Sequence, residues 1–122
     1  MRFSTDWRRN IKMQKYNIEM TDFAELDVES AGDYIADTLK NPTAAFNTMA
    51  GIRKQISSLK NFPERNELDS DPILANLGVR TDYYKNYKIY YKIEENSVIV
   101  VRILHMLVDS RLWLYDTFGI ID

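Results

Sequence analysis

The sequence has no cysteine and a single histidine. Without cysteine there is no disulfide framework, no thiolate nucleophile and no cysteine-ligated zinc. One histidine does not make a metal site. No carboxylate pair, glycine-rich phosphate loop or metal-ligand cluster stands out, and Gly51 and Gly78 are isolated. No apolar run approaches the ~20 residues that a membrane-spanning helix needs. The N-terminus lacks the apolar core of a signal peptide. A reducing cytoplasm, with no membrane association, fits such a chain. Repeats and low-complexity segments are absent too.

A strong charge bias is also missing, since the net charge is −2. Its distribution is uneven: residues 1–13 carry +3, residues 14–78 carry −5, and residues 79–122 balance to 0. Such a profile does not suggest a general nucleic-acid binder. A local basic face in the last third still matters more than the total. What is there is enough for one domain with its own core: 122 residues, 45% of them hydrophobic.

Residues 1–12, "MRFSTDWRRNIK", show no clear period and no capping signal. Met13 follows, just before the first strand-like segment. Arg8-Arg9 can be encoded as a purine-rich ribosome-binding sequence, roughly nine nucleotides before the Met13 codon. Residues 1–12 are therefore expected to be a translated leader or a non-core basic extension. Residues 13–122 are expected to form a single domain.

"KYNIEM" (15–20) alternates apolar and polar positions and reads as a half-buried strand. Thr21 or Asp22 opens a helix, with Asp22 and Glu25 at capping-box spacing. Ala24, Val28, Ala31, Ile35 and Leu39 then mark one helix face. Gly32 is a cost in that helix unless close packing offsets it. Asn41-Pro42 breaks the chain and restarts it, Asn as cap and Pro in the first turn. Ala45, Met49, Ile52, Ile56 and Leu59 mark the second helix, completing an antiparallel hairpin. Phe62-Pro63 ends it, and the polar stretch "ERNELDSDP" reads as loop.

Residues 79–84, 87–94 and 97–105 are rich in β-branched and aromatic residues and read as three strands, the last two joined by a hairpin turn. Asp109 or Ser110 caps a short final helix with Leu112, Trp113, Tyr115 and Phe118. The order β-αα-βββ-α predicts an α+β fold: an N-terminal strand, a helical hairpin, an antiparallel β-sheet and a short C-terminal helix. The tail aromatics are core or partner-covered surface.

His105 falls at the end of the last strand. Strand alternation puts Tyr87, Ile89, Tyr91 and Ile93 on one face, and Lys88, Tyr90, Lys92 and Glu94 on the other. Arg102 lies among Val98, Val100 and Leu104, and Arg80 near the start of the sheet. If Lys88, Tyr90, Lys92, Arg102, Arg80 and His105 share an uncovered face, they form a basic surface with one imidazole at its rim. Such a surface suits an RNA phosphate. Each residue also has a plain structural role: solvated lysines, cross-strand packing for Tyr90, and an internal ion pair for Arg102.

The stretches "YNIEMTDFAELDVESAGDYI", "LKNPTAAFNTMAGIRKQISSLKNFP" and "GVRTDYYKNYKIYYKIEENSVIVVRILH", followed by Asp109, carry a resemblance in their order. From about Lys15 to Leu114 the chain resembles the RelE/ParE superfamily of bacterial type II toxin–antitoxin toxins. The resemblance implies a cognate antitoxin partner and no cofactor or metal. It implies one of two activities. RelE-like members cleave mRNA in the ribosomal A site by activating the ribose 2′-hydroxyl. ParE-like members poison DNA gyrase.

For cleavage, Arg80 matches the phosphate-binding arginine and His105 the catalytic histidine, with Lys88, Tyr90, Lys92 and Arg102 as RNA-binding groups. Many relatives have an arginine just after the histidine, where this chain has Met106, Leu107 and Val108. RelE-like ribonucleases are often basic, and this chain is acidic. Ribosome-dependent mRNA cleavage is the expectation. Gyrase inhibition, or a member retaining only antitoxin binding, is the alternative.

Overall fold

The computed structural model describes residues 15–120, so the expected leader and the Met13 start lie outside the described residues. Strand β1 (Asn17–Met20) leads directly into helix α1 (Asp22–Asp33), which continues as a π-helical turn over Tyr34–Thr38. Thr21 is the N-cap, its hydroxyl accepting from the Ala24 amide, so the cap is the threonine rather than Asp22. Helix α2 (Pro42–Ser58) starts as its sequence predicts. The Asn41 side chain accepts from the Ala44 amide and Pro42 takes the first helical position. The hairpin packs closely because Gly32 lacks a side chain: a Cβ there would lie 2.2 Å from Met49 Sδ.

The polar stretch after Pro63 is not all loop. It holds a 3₁₀ turn (Pro63–Arg65) and a short helix α3 (Pro72–Asn76). Asp71 caps α3 by accepting from the amides of Ile73 and Leu74. Strands β2 (Arg80–Tyr84), β3 (Tyr87–Glu94) and β4 (Ser97–His105) follow, then helix α4 (Ser110–Thr117). Asp109 occupies the N-cap position of α4 but makes no side-chain cap bond.

The sheet order is β1-β4-β3-β2. The last three strands are antiparallel, as expected from their hairpins, whereas β1 joins parallel to β4. Two apolar clusters hold the sheet. Between it and the α1–α2 hairpin lie Val28, Ile52, Leu59, Ile89, Tyr91, Val98, Val100 and Ile103. On the other face, Leu74, Val79, Tyr90, Val101, Leu104, Leu114 and Tyr115 pack beneath α3 and α4. The face expected to be uncovered is thus partly covered by α3 and α4.

A β-bulge sits in β4. Tyr90 pairs with Arg102 but Tyr91 pairs with Val100, leaving Val101 as the extra residue. The bulge resets the alternation. Val98 and Val100 face the hairpin, Leu104 faces α4, and Ile103 rejoins the hairpin side. Beyond the end of β1, α1 stitches this stretch of β4. The Thr21 hydroxyl donates to the Val101 carbonyl at 2.9 Å, and the Ile103 amide donates to Asp27 at 2.9 Å.

Candidate functional site

His105 closes β4 opposite Tyr87, whose ring it meets edge to face at 5.3 Å. The Leu107 amide donates to its Nδ1 at 3.1 Å. With Nδ1 accepting, Nε2 is the ring nitrogen left to carry a proton. Because Tyr87 faces the hairpin side, His105 does too. It lines a groove of about 620 Å³ with Phe23, Ser30, Tyr34, Leu107 and Trp113. Burial holds the Tyr87 hydroxyl above the ordinary tyrosine range, with Tyr34 adding to the shift.

Arg102 lines the floor of the same groove but is committed to the fold. Its Nε and Nη2 donate to the two oxygens of Asp27 at 2.7 and 2.8 Å, and Nη1 donates to the Thr117 hydroxyl. The rings of Phe23 and Trp113 stack against the guanidinium at 5.3 and 5.1 Å. One buried arginine so ties β4, α1 and α4 together. Arg80 is engaged differently. Its Nη1 donates to the carbonyls of Glu64 and Asn66, pinning the 3₁₀ turn to β2. The Tyr91 hydroxyl joins this seam by donating to the Pro63 carbonyl, and burial pushes its pKa up.

Lys88, Tyr90 and Lys92 lie on the opposite face of the sheet. Tyr90 is 3% exposed within the cluster beneath α4, so its ring packs rather than offering a stacking surface. Lys92 pairs with Glu94 at 3.3 Å and lies over the Phe118 ring. Lys88 lines a second cavity of about 510 Å³, shared with Asp69, Asp71, Asp109, Ser110 and Arg111. The six residues expected at one surface are thus divided. His105 and Arg102 meet beside α1, Arg80 sits over the 3₁₀ turn, and the β3 residues lie across the sheet.

Sequence reasoning missed two acids. Asp27 reads as solvent-facing helix, yet it takes two bonds from Arg102 and one from the Ile103 amide. Its signal was a place four residues from both Phe23 and Ala31, on a stripe of groove residues. Asp71 accepts from the Tyr115 hydroxyl at 2.8 Å, joining α3 to α4. Burial raises the Asp71 pKa, but bonds from Tyr115 and the Ile73 and Leu74 amides, with the charge of Arg111, outweigh it and hold the carboxyl below the ordinary range. Tyr115 is shifted upward by the same bond and by burial. Among the described residues, no group of three potential ligands gathers to hold a metal, and no helix is long and apolar enough to cross a membrane.

A family model described as the ParE toxin of the type II toxin–antitoxin system parDE matches residues 18–109. The chain belongs to this family. It is a ParE-family toxin of a type II toxin–antitoxin system, within the RelE/ParE superfamily. Two solved structures share the fold. A chain of the chromosomal ParDE system from P. aeruginosa is 18% identical, with TM-score 0.65, over 75% of this chain and 97% of that one. A chain of the RelBE2 toxin–antitoxin complex from Mycobacterium tuberculosis is 19% identical, with TM-score 0.57, over 77% of this chain and 94% of that one. A search of curated protein sequences finds no match. In the ParE match, His105 and Asp109 fall inside the matched span, whereas α4 lies beyond it.

Proposed function

We propose that this toxin arrests growth as a non-enzymatic inhibitor of DNA gyrase, held inactive by a cognate antitoxin. The sequence alone leaned towards mRNA cleavage. What turns the reading is the division of the expected catalytic set. Activating a 2′-hydroxyl and stabilising the crowded phosphate needs base, acid and cations around one phosphate. Here His105 lies on the hairpin face, Lys88 lies across the sheet, Arg102 spends its donors on internal acceptors, and Nη1 of Arg80 is held by the carbonyls of the 3₁₀ turn. Trapping a large enzyme needs only a complementary surface. The match to the ParE model supports the same choice.

The antitoxin partner is supported by the solved relatives, which come from ParDE and RelBE systems. A toxin with this target and this partner would act in the cytoplasm. The proposed activity uses no cofactor.

The deciding experiment pairs two assays on the same toxin. Purified toxin is expected to inhibit DNA supercoiling by gyrase. Brief expression is expected to induce the SOS response while mRNA 5′ ends on ribosomes stay unchanged. His105→Ala is expected to stay toxic. New in-frame cuts at A-site codons that vanish in His105→Ala and Arg80→Ala would overturn the proposal and restore cleavage. A folded chain causing neither effect would leave antitoxin binding as the retained role.

A further inference from the structure

We propose that the cavity between β3 and the start of α4 binds a free α-amino acid with an apolar side chain. The cavity, of about 510 Å³, lies across the sheet from the His105 groove. Three lengths of chain build it: β3, the loop that leads into α3, and the turn that leads into α4. Lys88 and Tyr90 are two positions apart on β3, so both side chains leave the same face of the sheet.

Part of the wall is made of donors that lack acceptors. Ser110 is 9% exposed, and its buried hydroxyl has no hydrogen-bond partner. Buried polar groups are almost always paired, so an orphan in a cavity wall points to a ligand. The Tyr90 hydroxyl also makes no hydrogen bond among the described residues. Helix α4 adds the amides of Ser110, Arg111 and Leu112, for which a first turn has no internal acceptors. Asp109, at the N-cap position, makes no cap bond to them. Lys88 completes the set, with no ion pair among the described residues. Hydroxyls, first-turn amides and an ammonium together suit a carboxylate.

The same cavity carries carboxylates. Asp71 is satisfied by Tyr115, by two amides and by the charge of Arg111. Asp69 accepts from the Asp71 amide on Oδ1 alone, and Asp109 accepts nothing among the described residues. A ligand that is only an anion is repelled by these two acids, a doubly charged phosphate most of all. A bare cation is repelled by Lys88 and by the start of α4, and among the described residues no group of three potential metal ligands gathers. A ligand with one charge of each sign satisfies both parts of the wall. An α-amino acid holds the two charges on a single carbon, whereas a peptide end holds only one. Leu74, Val108 and Leu114 supply an apolar wall for its side chain.

The inference takes nothing from the toxin's target. L-leucine is titrated into the full chain by calorimetry. Three further probes run beside it: leucinamide, which lacks the carboxylate, isocaproate, which lacks the ammonium, and inorganic phosphate. Leucine is expected to bind saturably, at least ~10-fold tighter than any of the three. Lys88→Met is expected to weaken leucine ~10-fold and to leave leucinamide unchanged, with an unchanged circular dichroism spectrum. Asp69→Asn with Asp109→Asn is expected to weaken leucine and to leave isocaproate no weaker. No saturable heat from leucine, or leucine binding no tighter than leucinamide and isocaproate, overturns the proposal. So does leucine binding that Lys88→Met leaves untouched. Phosphate binding that Lys88→Met removes overturns it too, because the cavity is then a plain anion site. No gyrase, ribosome or antitoxin enters the assay, so failure of the target assignment and failure of the cavity are read separately.

Discussion

Replacing Asp27 with alanine removes three acceptor contacts in one step and strands Arg102, whose side chain is 7% exposed. An unpaired buried guanidinium costs about 3 to 5 kcal/mol, so Asp27→Ala should lower the urea midpoint steeply. Arg102→Lys should recover little, because an ammonium cannot reproduce the two-pronged bond or the planar guanidinium's contacts with the Phe23 and Trp113 rings. Arg102 was legible only as an arginine in an apolar run, with an internal ion pair among its readings. Its partner was hidden, since Asp27 is 75 positions away. His105 was legible as a strand-end residue, but not its face, because one extra residue upstream changed the strand's phase.

At the level of elements, α3 and α4 are fastened by the Tyr115 hydroxyl on Asp71. The bond needs an ionised carboxylate and a neutral phenol. Asp71 is shifted down, so its contribution is present above its unfolded pKa and fades as pH falls through the lowered folded value. Tyr115 is shifted up, so its contribution is present below the ordinary tyrosine pKa and is lost as pH rises through the raised one. Thermal melts of wild type and Tyr115→Phe should therefore differ most near neutrality. They should converge in strong acid and again in strong base.

The hairpin helices were legible from period, cap and proline. Helix α3 was not, since five residues carry no period. Its cap, Asp71 before Pro72, was the available signal.

For the whole molecule, the order of elements predicted the fold class because each element carries its own pattern. The parallel pairing of β1 with β4 had no local signal, and neither did the cover on the second face. That cover is structural. Ending the chain before Ser110 uncovers Tyr90 and Leu104 and removes the buried Leu114 and Tyr115. Burial of side chains this size contributes about 1.5 to 3 kcal/mol each. The shortened chain should melt at a lower temperature and bind more of a hydrophobic dye than the full chain does.

The pairing of the first strand with the last has a consequence in time. Thr21 bonds the Val101 carbonyl, 80 positions downstream. A chain emerging from its ribosome cannot finish the sheet, bury Val98 and Val100 or fix Arg102 until β4 has left the exit tunnel. The groove around His105 and Arg102 is therefore among the last parts of the molecule to form during synthesis.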